Sequence, residues 1–391
     1  ARRPGPDGPN APTAHLPPDL RLGVEVGVVA VLLMTGFPGF LGSALLPRLL
    51  RRRSDARVAC LVQERHLAAA HERLEEVEAE HPDVRGRTSL VTGDITDPDL
   101  GLDDAGRRAL RGLDEVWHLA AVYDLAVPPE VARRVNVDGT AHVLGLCRSR
   151  RRPVRLHHVS TCYVSGRYAG EFPEDGLELG QEFRNHYEST KYEAERLVRA
   201  AMAGGLAATI YRPGIVVGDS RTGATQKYDG PYFLATFLRR QPHLAVVPAV
   251  GDADRVRVCL VPRDFVVDAM EALSGLDLSV GRTYALTDPD PPTVREVVDT
   301  FAHHLGRHVL WLPVPLPLTR AVVGSVPGME SLLGLPAEAL DYFASPTTYA
   351  TDHTVADLEG TGVRCPRFST YADRLLDFME AHPEFHAEAM V

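Results

Sequence analysis

From residue 28 onward, apolar runs of four to seven residues alternate with amphipathic stretches, the pattern of repeated strand–helix–strand units. Strands are predicted over 28–34, 57–62, 89–92, 115–121, 155–160 and 207–211. Helices are predicted over 40–52, in a charged stretch ending near 80, and over 129–147 and 187–202. Leu41, Leu45, Leu46 and Leu49 share one face of the first helix. Strands that are apolar throughout, with helices between them, belong to a parallel sheet covered on both faces. The expected class is therefore α/β, a Rossmann-type doubly wound parallel sheet with a smaller, mainly helical C-terminal lobe.

Beyond residue 213 the pattern loosens, with helices predicted over 232–240, 264–273, 293–305 and 369–381. Two strands, over 256–261 and 283–286, are expected to return to the main sheet. Residues 1–20 carry six prolines and little apolar periodicity. The predicted organisation is a disordered tail over 1–27, a doubly wound domain over 28–213 with 251–290 returning to it, and a substrate-binding lobe over 214–391.

Composition narrows the function classes. The 391 residues carry a formal net charge of −10 without a long basic stripe, which excludes nucleic acid as a partner. Five scattered cysteines (Cys60, Cys147, Cys162, Cys259, Cys365) form no CxxC pair, which argues against a disulfide framework or a zinc site and for a cytoplasmic setting. The apolar stretch 23–34 is too short to span a bilayer and runs into a glycine turn, so it reads as a strand. The Pro-rich apolar stretch 309–334, interrupted by Arg320, reads as a wall of the substrate lobe, with peripheral contact to lipid as the alternative.

The turn is Thr35-Gly36-Phe37-Pro38-Gly39-Phe40-Leu41-Gly42. Glycines at i, i+3 and i+6 between an apolar strand and an amphipathic helix are the arrangement that binds a dinucleotide pyrophosphate. The first permits the turn, the second backbone approach, and the third close helix–strand packing. NADP(H) is favoured over NAD(H), because Arg65 and the run Arg51–Arg53 lie near the end of the second strand, where a 2′-phosphate sits. Glu64 is the competing candidate for ribose hydroxyls, and Arg51–Arg53 also read as cations complementing a helix C-terminus.

Only two of the 42 basic residues are lysines, Lys191 and Lys227. Lys191 lies four residues after Tyr187, on the same face of a predicted helix. A lysine so placed holds a cofactor ribose and lowers the phenol pKa, and the phenol exchanges a proton with a carbonyl oxygen as hydride moves. Thr161, at the end of the fifth strand, supplies a second hydroxyl, with Ser160 as its rival because neighbouring strand residues face opposite ways. Cys162 reads as structural. The loop 226–232 (QKYDGPY) reads either as a surface turn or as a substrate gate.

Together these residues resemble the extended short-chain dehydrogenase/reductase superfamily, and within it the thioester reductase and fatty acyl-CoA reductase ("male sterility") branch. The motifs are TGFPGFLG (35–42), GDITDPDLGL (93–102), HLAAVYDL (118–125), NVDGT (136–140), HVSTCYV (158–164), YESTK (187–191) and YRPGIVVGDS (211–220). The resemblance implies cofactor contacts from Gly36, Phe37, Gly39, Phe40, Leu41 and Gly42. Asp94 and Ile95 would flank adenine, Ala120 and Ala121 the pyrophosphate–ribose path, and Pro213, Gly214, Ile215 and Val216 the nicotinamide. Thr161, Tyr187 and Lys191 would form the catalytic set, with Asn136 supporting the lysine through water. Gln63 stands where the branch usually has an arginine for the NADP phosphate. The implied activity is hydride reduction of an acyl thioester, carried on coenzyme A or a separate carrier protein, to an aldehyde or alcohol. The alternative is a dehydrogenase or epimerase of the same superfamily acting on a sugar nucleotide, a sterol-like alcohol or a β-keto acyl substrate.

Overall fold

The computed structural model describes residues 29–123, 127–249, 252–313, 342 and 345–384. The expectation for the tail lies outside these residues, as does that for 314–334. Five strand–helix steps build the N-terminal half. They run β1 (Ala30–Thr35), α1 (Phe40–Arg52), β2 (Ala56–Val62), α2 (Leu67–Glu80), β3 (Thr88–Thr92), α3 (Asp104–Ala109) and β4 (Leu113–His118). A helix follows that opens as α4 (Pro129–Ala132), passes through a π-helical turn at Arg133–Asp138, and continues as α5 (Gly139–Arg148). Next come β5 (Arg155–Val159), β6 (Gly170–Phe172), α6 (His186–Ala203), β7 (Ala208–Pro213) and β8 (Ile215–Val217).

The remaining described elements are α7 (Pro231–Arg240), β9 (Leu244–Ala249), β10 (Leu260–Pro262), α8 (Arg263–Ser274), β11 (Thr283–Leu286), α9 (Val294–His304), β12 (His308–Pro313), β13 (Thr347–Tyr349), α10 (Asp352–Leu358) and α11 (Ala372–Ala381). Seven strands form one parallel sheet in the order β11-β7-β5-β4-β1-β2-β3, the expected doubly wound arrangement.

Both faces of the sheet are covered. On one, Leu45, Leu46 and Leu49 of α1 and Phe265, Val266 and Met270 of α8 pack on Leu32, Met34, Val58 and Tyr211. On the other, Val143 and Leu144 of α5 and Val198 of α6 pack on Leu33, Val116, Leu156 and Ile210. A separate core joins α7, α9 and α11 through Leu234, Leu238, Val297, Phe301, Leu375 and Leu376.

One of the two returning-strand expectations changes. The one over 256–261 narrows to β10, which pairs with β8 and not with the main sheet; of the two returning strands, β11 alone joins it, through β7. The pattern also missed β9 and β12, a parallel pair joining Leu244–Ala249 to His308–Pro313. Among the described residues, no helix is long and apolar enough to cross a membrane.

Candidate active site

The C-terminal edge of the sheet gathers the glycine turn, the β4 loop, the end of β5 and the segment after β7. Gly36 turns the chain at a φ of 89°. A Cβ on it would lie 2.8 Å from the Ala120 amide nitrogen, and one on Gly42 would lie 2.5 Å from the Gly36 carbonyl oxygen. Turn, helix and β4 loop thus meet backbone to backbone, leaving a cradle that side chains would fill. Gly39 caps α1 without a side chain, so the amides of Phe40 and Leu41 open the helix toward the cradle. Phe37 is buried in the core, and the Phe40 ring lies under the Arg263 guanidinium at 4.9 Å. A pyrophosphate fits this donor set, and the group it would belong to is a nicotinamide dinucleotide.

A buried hydrogen-bond chain fixes this edge. The Thr140 hydroxyl donates to the Asn136 carbonyl at 2.6 Å, so it accepts from His118 Nε2 at 3.0 Å. That leaves Nδ1 as acceptor for the Thr35 hydroxyl at 2.8 Å, while Thr35 Oγ1 accepts the Ala120 amide at 3.2 Å. Burial, with the nearby Lys191 charge, pushes the His118 pKa down to about 3, and the ring is neutral. Asn136, within the π-helical turn, donates to the Val122 carbonyl and to Thr190 Oγ1, both at 3.0 Å, and accepts the Val122 amide at 2.9 Å. Its side chain therefore ties the β4 loop, including Ala120 and Ala121, to the residue preceding Lys191.

Thr161 and Ser160 separate cleanly. Ser160 Oγ donates to Glu195 at 2.7 Å, inside the molecule. The Thr161 hydroxyl donates to the Pro213 carbonyl at 3.5 Å and lies close enough to the Tyr187 phenol to favour its ionised form. Tyr187 sits in the first turn of α6, which Asn185 caps by accepting the Glu188 amide at 3.0 Å. Cys162 is buried with its thiol on the Arg212 carbonyl, and burial raises its pKa far above the thiolate range.

Lys191 departs from its expected electrostatic role. Its Nζ donates to the Val159 carbonyl at 2.7 Å, and burial brings its pKa down to about 8 against the opposing pull of Glu195. The Tyr187 phenol is not lowered: burial pushes it up to about 12, with the Thr161 hydrogen bond pulling the other way. The reason is geometric, since the ammonium is turned to the end of β5. A phenol so raised keeps its proton at neutral pH, which suits a proton donor.

Sequence reasoning missed the group that anchors this set. Glu195, one turn beyond Lys191, is fully buried and accepts from Arg212 at 2.6 and 3.0 Å and from Arg199 at 2.9 Å. Burial alone would raise its carboxyl pKa, but Arg212, with Arg199 and Ser160, holds it below the usual value. Arg212 also donates to the carbonyls of Glu174 and Gly176. The i,i+4 spacing of Lys191 and Glu195 was the available signal.

At the adenosine end, Gln63 Nε2 donates to Asp94 at 2.7 Å, and Arg65 Nε donates to Gln63 Oε1 at 2.8 Å. Ile95 is buried against Gly139. The run Arg51–Arg53 is corrected: it ends α1 at the opposite edge of the sheet, where it pairs with Asp83, Glu115, Asp114 and Asp55. A helix antiparallel to its strands carries its C-terminus away from the cofactor edge. At the nicotinamide end, the Ile215 amide donates to the Cys259 carbonyl at 2.8 Å, and a Cβ on Gly214 would lie 2.4 Å from the same oxygen. The segment 213–216 is thereby pinned beside Thr161.

Comparison with known proteins places the chain in a family. Residues 34–270 match the family model described as male sterility protein, an NAD-binding family. Isonitrile lipopeptide synthase of Streptomyces coeruleorubidus is 30% identical over 403 residues, covering 93% of this chain and 26% of that protein. A linear gramicidin synthase of Brevibacillus parabrevis is 32% identical over 272 residues, covering 66% of this chain and 5% of that one. The chain thus spans about a quarter or less of these curated relatives. The crystal structure of the terminal R domain from the myxalamid PKS-NRPS biosynthetic pathway superposes with a TM-score of 0.78 at 30% identity, covering 93% of this chain and 94% of that one. The chain belongs to the male sterility family of NAD-binding proteins, within the extended short-chain dehydrogenases/reductases, and is an NAD(P)-dependent oxidoreductase.

Proposed function

We propose that this oxidoreductase reduces an acyl thioester, delivered on a carrier protein or coenzyme A, to an aldehyde or alcohol in the cytoplasm. The observation that carries the reading is the pairing of the Thr161 and Tyr187 hydroxyls at the carboxyl end of β5, beside the segment 213–216. Two hydroxyls at one edge of the sheet can turn to a carbonyl oxygen that becomes an oxyanion, where preorganised donors are commonly worth several kcal/mol. When bound, the nicotinamide supplies the hydride. Tyr187 then gives its proton to the oxygen, and the Lys191 ammonium, which rests on the Val159 carbonyl, would turn to the cofactor ribose and hold its charge near the phenol. The similarity to a terminal R domain, and to synthases that are multidomain by their length, supports a carrier-borne substrate. The five thiols, none of them disulfide-bonded, support the cytoplasmic setting.

The test is absorbance of NADPH with acyl-CoA and acyl-carrier thioesters of varied chain length. Turnover is expected; turnover of ketones alone would contradict the reading. Because Lys191 must stay cationic, kcat/KM for reduction is expected to fall as pH rises through about 8, where its buried ammonium loses its proton. A flat profile from pH 7 to 10 would remove Lys191 from that role.

We infer a preference for NADPH from Arg65, which Gln63 holds at the end of β2. Arg65→Ala is expected to raise KM for NADPH by about tenfold while leaving KM for NADH within about twofold, as for loss of one charge-assisted phosphate contact. Equal effects on both cofactors would refute it.

A further inference from the structure

The chain writes arginine for nearly every cation, and its second lysine stands at the rim of the candidate site. Lys227 places its ammonium 3.9 Å from the centre of the Tyr123 ring and pairs with the Asp229 carboxylate. Both partners are held. Tyr123 follows Val122, whose amide and carbonyl are both bonded to Asn136, and its phenol is close enough to Tyr187 to oppose ionisation there. On the other side, Thr225 donates to the Lys227 carbonyl at 3.1 Å, and Tyr228 donates to the His382 carbonyl at 2.8 Å. Gly230 leaves room for Ile215, since a Cβ there would lie 3.1 Å from it. The loop therefore runs against the nicotinamide-side segment, and it is an anchored rim, not a plain surface turn.

We propose that Lys227 is a further catalytic residue, the cation that receives the thiolate when the carbon–sulfur bond breaks. The inference rests on the thioester reading above. A tethered acyl group enters with its carbonyl at Thr161 and Tyr187 and its sulfur toward solvent. Tyr123, 41% exposed, is the solvent-side edge beside Tyr187, so the sulfur lies along the rim that carries Lys227. A compact ammonium can pair with a single sulfur, whereas a planar guanidinium suits the forked oxygens of carboxylates and phosphates. Lys227 is 18% exposed on its side chain, sheltered enough for its charge to act strongly.

Atoms and electrons balance in this step. Hydride from the nicotinamide adds to the carbonyl carbon, and Tyr187 protonates the oxygen to give a hemithioacetal. The hemithioacetal hydroxyl then returns its proton to Tyr187, the C=O bond re-forms, and the C–S bond breaks with its electron pair on sulfur. The thiolate pairs with Lys227 in place of Asp229 and takes a proton from water as it leaves. Thioester, reduced cofactor and one proton become aldehyde, oxidised cofactor and thiol.

The test compares octanoyl thioesters of coenzyme A and of an electron-poor aryl thiol, which leaves without help, using the full chain. Lys227→Met is expected to lower kcat on the coenzyme A ester by about 10–100-fold, the scale of one lost electrostatic contact, with KM within about threefold. On the aryl ester the deficit should shrink to about threefold or less, and Lys227→Gln should behave alike. The ratio between the two esters is unaffected by any loss of folded protein. Equal deficits on both esters, or none on the coenzyme A ester, would overturn the proposal. No turnover of either ester by the unaltered protein would overturn the thioester reading itself, and this step with it.

Discussion

Tyr187→Phe is expected to lower kcat/KM for reduction by about 10²–10⁴-fold, the range lost with a positioned general acid. The variant keeps the ring and removes the oxygen that meets Thr161, so packing in the first turn of α6 changes little. Asn185 still caps the helix, and the buried Glu188 still accepts from Arg184 at 3.1 Å. Affinity for the dinucleotide is expected to stay within about threefold, because the pyrophosphate cradle at Gly36–Gly42 is untouched. Rates from single-turnover mixing, with thermal melts as control, check this. A loss under tenfold would remove Tyr187 from proton donation.

Arg212→Met is expected to cost about 3–5 kcal/mol, because it removes the two guanidinium bonds to the fully buried Glu195 carboxylate and leaves it only Arg199 and Ser160. Arg212 and Glu195 are both nearly inaccessible, and Arg212 also holds carbonyls of the 173–176 loop. The melting temperature should fall by on the order of 10 °C. Arg212→Met combined with Glu195→Leu should recover part of that loss, since no fully buried charge then remains and Arg199, which loses its carboxylate, is part-exposed and keeps its bonds to the Asp175 and Glu174 carbonyls. Activity should suffer beyond stability, because Ser160 precedes Thr161 and Glu195 sits one turn from Lys191. A double variant no more stable than Arg212→Met would contradict this account of the pair.

The sequence made some of this legible for definite reasons. A glycine turn between an apolar strand and an amphipathic helix is a local pattern, and the bounds of α1 match the periodicity residue for residue. Tyr187 and Lys191 were visible because helical spacing places both on one face. Thr161 against Ser160 was not decidable locally. Alternation says that the two diverge, and only Glu195 says which one turns inward. The same limit hid the β9–β12 pair, whose partners lie more than sixty residues apart. It also hid the position of Arg51–Arg53, since proximity in sequence to β2 conceals that α1 runs the other way. The sign of the Tyr187 shift depended on where the Lys191 ammonium points, which spacing along a helix does not specify.

In the proposed reaction, hydride reaches the carbonyl carbon of a thioester held at Thr161 and Tyr187. Its most direct test uses NADPH deuterated at the transferring carbon with an octanoyl thioester, scoring free thiol and the isotope content of the product together. Deuterium is expected on C1 of the aldehyde or alcohol, with one free thiol for each acyl group reduced. Thiol released without deuterium on carbon, or deuterium transferred to ketones alone, would contradict it.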